Sequence, residues 1–195
     1  MQKAKVKMTT RALAYCALLT ALSVILARLI IPMPNEFTRF SIEAVPIFMA
    51  GMLFGSMAGG MVGFSADLIG CLMFSTFGYN PIYCIPPILY GVAGGLFRHF
   101  LGKNISLPRL LLAFLPPIVL GSIGIQSCVL AYMRYGVEGF REGVILFLST
   151  RSVQFTVTMV LDVTVIFLLF RSNMFNRLGI WPPVKKERNT NLDER

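Results

Sequence analysis

The chain has 195 residues, with 18 Lys and Arg against 9 Asp and Glu, and a formal charge of +9. Hydrophobic residues make up 55% and charged residues 14%, and the mean hydropathy is +0.70. Soluble domains carry about 25% charged residues, so this chain lacks the polar surface to cover a globule in water. That excludes an ordinary soluble enzyme, a disordered tail and a nucleic-acid-binding domain. The pI near 9.8 does not argue for nucleic acid, because the basic residues flank apolar runs instead of forming a stripe.

A helix crosses a bilayer core of about 30 Å with about 20 apolar residues. The expected fold is therefore all-α: an integral membrane bundle of six transmembrane helices in one domain, residues 1–172, followed by a basic cytoplasmic tail over 173–195. The first span covers Ala12–Ile31 behind Lys3, Lys5, Lys7 and Arg11, and is too long for a signal-peptide core. Pro32 and Pro34 stop it. A polar loop with Glu36, Arg39 and Glu43 follows. From Ala44 to Phe97 the sole charged residue is Asp67. This stretch is expected to hold three shorter spans, broken at Gly55-Ser56 and around Phe77–Cys84, where Gly78-Tyr79-Asn80-Pro81 signals a turn. Arg98, His99, Lys103 and Arg109 connect to a fifth span, Leu110–Tyr132. A loop with Arg134, Glu138, Arg141 and Glu142 precedes a sixth span ending near Phe170. Cations crowd the N-terminus, the Arg98–Arg109 connection and the tail, so both termini are expected in the cytoplasm.

The four cysteines, Cys16, Cys71, Cys84 and Cys128, are scattered through apolar runs and read as small hydrophobes, with no metal or disulfide pattern. No P-loop, HExxH or GxSxG motif occurs, so uphill transport would draw its energy from elsewhere.

A charge deep in a membrane helix faces a partner, a cavity or a functional site. Asp67 and Asp162 are such charges. Each can be satisfied by neighbouring helices, or the two can pair as a membrane-embedded aspartyl enzyme. On the outer side stand Arg28, Arg39, Arg134, Arg141 and Arg151, with Gln154 one turn below Arg151. A cavity lined by guanidinium groups suits an organic anion, whereas snorkelling to headgroups is the alternative. The segment Phe77–Tyr83 adds rings that can stack on a planar ligand and the Asn80 amide that can read a heterocycle edge. Small residues recur at helical spacing: Ala17 and Ala21, the series Gly51, Gly55, Gly59 and Gly63, and Gly91 with Gly95. They serve close packing inside the bundle or docking of a membrane partner.

Three stretches, Ala17–Arg28, Arg39–Pro46 running into Ala50–Gly55, and Ser65–Gly70, resemble the folate-specific S component of energy-coupling factor (ECF) transporters. The Gly78–Pro81 loop leading to Leu89-Tyr90-Gly91 is similar too. The resemblance implies a six-helix membrane subunit, not an enzyme, that needs no cofactor and binds folate or a reduced folate outside the cell. It implies delivery inward with a membrane T component and two cytoplasmic ATPases, which agrees with the missing P-loop. It places Ala17 and Ala21 against the T component, and makes the Pro32–Glu43 loop a lid. Ligand contacts are expected from Arg28, Asp67, Phe77, Tyr79, Asn80, Arg151 and Gln154. An S component for another vitamin (riboflavin, thiamine or biotin) is the competing reading within the class.

Overall fold

The computed structural model describes residues 10–28, 31–32, 39–40, 42–74, 80–100 and 106–172. The six helices are α1 (Thr10–Leu26), α2 (Ala44–Phe54), α3 (Ser56–Phe74), α4 (Ile85–Phe100), α5 (Leu107–Tyr135) and α6 (Phe140–Arg171). A two-residue antiparallel ladder, β1 (Ile31–Pro32) with β2 (Arg39–Phe40), closes the connection from α1 to α2. The tail over 173–195 lies outside the described residues.

The polarity is inverted relative to a soluble protein. Large apolar side chains such as Leu18, Met57, Leu72, Leu120 and Val153 point outward, while Ser23, Ser122, Ser127, Gln154 and Asp162 are buried. Lipid solvates the first set, and protein partners must satisfy the second. Helices α3, α5 and α6 are each long and apolar enough to cross a membrane. Helix α2 differs from them. Its 11 residues rise only about 16 Å, and all but Phe54 are buried. It is a central plug wrapped by α1, α3, α4 and α6.

Why α2 packs so tightly is legible in its glycines. A Cβ on Gly51 would sit 2.1 Å from the Gly91 carbonyl oxygen, and one on Gly91 would sit 2.1 Å from the Gly59 carbonyl oxygen. A Cβ on Gly94 would strike the Phe48 carbonyl, and one on Gly95 the Ser56 backbone. Backbone meets backbone across α2, α3 and α4, so dispersion contacts accumulate where no apolar driving force distinguishes protein from lipid. These glycines thus act in internal packing, and the docking alternative does not apply to them. Gly55 has φ +103, a conformation open to glycine, and it turns the chain from α2 straight into α3. Phe48, fully buried, packs its ring against that of Phe114 on α5, tilted by 35° with centroids 4.3 Å apart. Arg98 Nη1 donates to the Leu53 carbonyl at 2.6 Å, satisfying an acceptor at the end of α2.

Several boundaries differ from expectation. Arg134 belongs to the last turn of α5, and Arg141 and Glu142 to the first turn of α6, so the expected loop shrinks to a short turn. Helix α5 contains a π-helical stretch, Pro117–Ile125, which begins at the second of two consecutive prolines. Proline lacks the N–H of the α ladder and its ring crowds the preceding turn, so wider winding relieves both. All four cysteines are free, but only Cys16 and Cys84 are buried; Cys71 is half-buried and Cys128 is exposed on the outer surface.

Gly91→Ala is expected to destabilise the protein by about 1–3 kcal/mol or more, because backbone on both sides cannot yield. Gly60→Ala, whose Cβ would meet only side chains, Val92 at 3.4 Å and Ile88 at 3.7 Å, is expected to be tolerated. Thermal unfolding of the two variants in detergent checks the contrast.

Candidate functional site

The polar groups gather at one end of the bundle, where α3 and α5 finish and α4 and α6 begin. After α3, Asn80 accepts from the Ile82 N–H at 3.1 Å and so caps a short 3₁₀ turn, Pro81–Cys84. Its amide nitrogen faces the Met133 sulfur of α5 at 3.7 Å. Asn80 therefore holds the turn in place. The turn carries Tyr83 and Cys84 inward. The Cys84 thiol, buried, donates to Asp67 Oδ2 on α3 at 2.8 Å. Burial holds the Tyr83 phenol above its ordinary range, opposed by the nearby Arg151, so the hydroxyl stays protonated at neutral pH and remains a donor.

Arg151 lies on the inner side of α6. Its Nη2 donates to Gln126 Oε1 of α5 at 2.9 Å, and its guanidinium sits 5.2 Å from the centroid of the Phe155 ring. Gln154, on a similar face, is buried. Arg28 is exposed at the end of α1. It donates to the Gly70 carbonyl at 3.0 Å and lies 4.2 Å over the Phe74 ring, tying α1 to α3. Arg28 and Asp67 both act on Cys71, one helical turn along α3 from Asp67. A continuous polar neighbourhood thus runs from Arg28 through Asp67, Cys84 and Tyr83 to Arg151 and Gln126. Phe77 and Tyr79 lie outside the described residues.

Asp67 and Asp162 do not share a partner. Asp67 bonds Cys84, whereas Asp162 lies deeper on α6 within electrostatic reach of Tyr90 and Glu43. The Tyr90 hydroxyl and the Ser122 hydroxyl hydrogen-bond at 3.2 Å between α4 and α5. Gln126, Tyr90 and Cys84 were not anticipated from the sequence. Gln126 had a usable signal, as a lone amide midway through an apolar run; Cys84 had none, since its partner is set by the turn.

A family model described as the S component of ECF-type riboflavin transporters matches residues 7–174. The chain belongs to this S-component family. Its members are transport subunits, so the aspartyl-enzyme reading of Asp67 and Asp162 is set aside. This S component is 29% identical over 99 residues to the folate transporter FolT of Clostridium novyi (strain NT), an alignment covering 51% of this chain and 56% of that protein. It thus spans about half the length of that curated relative. Its fold superposes on a crystal structure of FolT bound with folic acid with a TM-score of 0.68 and 25% identity, covering 83% of this chain and 93% of the other.

Arg151 and Gln126 form one unit, so their truncations are expected to be non-additive. Arg151→Ala and Gln126→Ala, alone and together, should show a coupling of about 0.5–3 kcal/mol in a double-mutant cycle on thermal stability. Strict additivity would show that the pair carries no shared energy.

Proposed function

We propose that this S component captures folate or a reduced folate at the outer face of a prokaryotic plasma membrane and delivers it inward with a T component and two cytoplasmic ATPases. The observation that carries this reading is Arg151, held on the inward face of α6 by Gln126 and Phe155 beside the buried Gln154. A guanidinium oriented in this way matches a carboxylate in two-point geometry. Folate has two carboxylates, a flat ring and an apolar linker. Likeness to FolT over most of the chain supports the same ligand class.

The proposed contacts are Arg28 and Arg151 for the carboxylates, Gln154 and Asp67 for polar edges, and Phe77 and Tyr79 for stacking. Asn80 acts through the turn it caps. Riboflavin is the second reading, favoured by the description of the matching family. It carries no carboxylate to meet a guanidinium in two-point geometry. The cation distribution supports a multi-pass orientation with both termini in the cytoplasm and the site outside.

The exposed face of α1 supports T-component docking. Ala17 and Ala21 are exposed there, flanked by Leu13, Leu18 and Ile25. Small residues let a second membrane helix approach closely.

Arg151→Ala is expected to weaken folate binding tenfold or more, about 1.4 kcal/mol, as read by equilibrium titration of the purified protein. Competition by riboflavin but not folate would overturn the folate reading. Ala17→Trp is expected to keep folate affinity while abolishing uptake in cells supplying the T component and ATPases; normal uptake would remove this face from the docking surface.

A further inference from the structure

The turn Pro81–Cys84 is tied to α5 through a methionine. Met133 stands in the last turn of α5, just before the helix closes at Gly136. Two donors from the turn approach its sulfur: the Asn80 amide nitrogen at 3.7 Å and the Tyr83 hydroxyl at 3.9 Å. Both donors are fixed from behind. Asn80 Oδ1 accepts from the Ile82 N–H at 3.1 Å, and the Asn80 carbonyl accepts from the Tyr83 N–H at 3.1 Å. Among the described residues, no other methionine sulfur receives two donors.

A thioether sulfur is a weak acceptor, so the donors that converge on it are stronger than the group they meet. The side chain is also open, with Met133 63% exposed. Its neighbours Tyr132, Arg134 and Tyr135 are exposed as well, and tyrosine and arginine at a helix end mark the level of the membrane–water interface. An oxidant dissolved in water reaches that level. The spacing fits the oxidised side chain too. A hydrogen bond to a sulfoxide oxygen, reached round the bent S–O link, puts the donor atom about 4 Å from the sulfur. Asn80 and Tyr83 already stand close to that distance.

We propose that Met133 is a reversible oxidation site for a peroxide, and that its sulfoxide oxygen accepts from Asn80 and Tyr83 and staples the turn to α5. In this step a sulfur lone pair attacks one peroxide oxygen and an S–O bond forms. The O–O bond breaks, and the departing oxygen takes the proton of the attacked oxygen and leaves as water. Sulfur loses two electrons and the peroxide gains them. A sulfoxide reductase reverses the change. Oxidation of a core methionine places a polar group in an apolar site and disrupts it. Here the donors stand ready, so the product is held more tightly than the thioether. Nothing in this step depends on which vitamin the protein carries.

The test treats the purified full chain in detergent with hydrogen peroxide and maps the added oxygen by peptide mass spectrometry. Amide hydrogen exchange is then followed in the peptide that holds Ile82 and Tyr83. Wild type is expected to gain oxygen at Met133 and to exchange there more slowly by about threefold or more. Methionine sulfoxide reductase is expected to restore the original rate. Met133→Leu is expected to show no slowing at the same dose; slowing in that variant would trace the effect to another residue and overturn the proposal. Tyr83→Phe removes one donor and keeps the ring, so it is expected to oxidise at Met133 yet slow less than wild type. No oxygen at Met133, faster exchange after oxidation, or equal slowing in Tyr83→Phe and wild type would each sink the assignment.

Discussion

Backbone-to-backbone contact across α2, α3 and α4 is the constraint on which the rest of the molecule depends. In lipid, association between helices gains little from apolar burial, because the surrounding tails are as apolar as the helices themselves. Close approach is what remains, and Gly51, Gly59 and Gly91 permit it by placing no side chain where a carbonyl must lie. The short α2 can then be surrounded by protein without needing to span the membrane itself. With α2, α3 and α4 locked together, the turn at Pro81–Cys84 has a fixed base, and α5 and α6 can lean their polar sides against it.

That arrangement explains how a chain this apolar assembles a polar interior. Each inward polar group would be costly in lipid, and most are met by a named partner: Cys84 for Asp67, Gln126 for Arg151, Ser122 for Tyr90. Hydrogen bonds in such a setting favour one geometry over its alternatives as much as they add stability. The cluster is therefore pre-shaped, which lowers the ordering cost of receiving a ligand.

Much of this was readable in the sequence because the bilayer enforces simple rules. Uninterrupted apolar runs gave the helices, Gly55-Ser56 gave the break between α2 and α3, and the isolated charges Asp67 and Arg151 pointed to inward faces. The length of α2 was less legible, since a buried helix and a lipid-facing span have the same composition. The role of Asn80 was hidden for another reason. An amide before a proline reads equally well as a ligand contact and as a cap, and only the turn geometry separates them. Gln126 was passed over because a helix of uniform winding gives no reason to expect it opposite Arg151.

That last point follows from the π stretch in α5. Each residue there advances the chain through a smaller angle than in an α-helix, so every side chain beyond Ile125 emerges at a different compass bearing from the one regular winding would assign. Gln126 is the first residue past the stretch. Its meeting with Arg151 is thus a product of phase: the consecutive prolines a few residues earlier act as a gear that retimes the outer end of the rod against its neighbour.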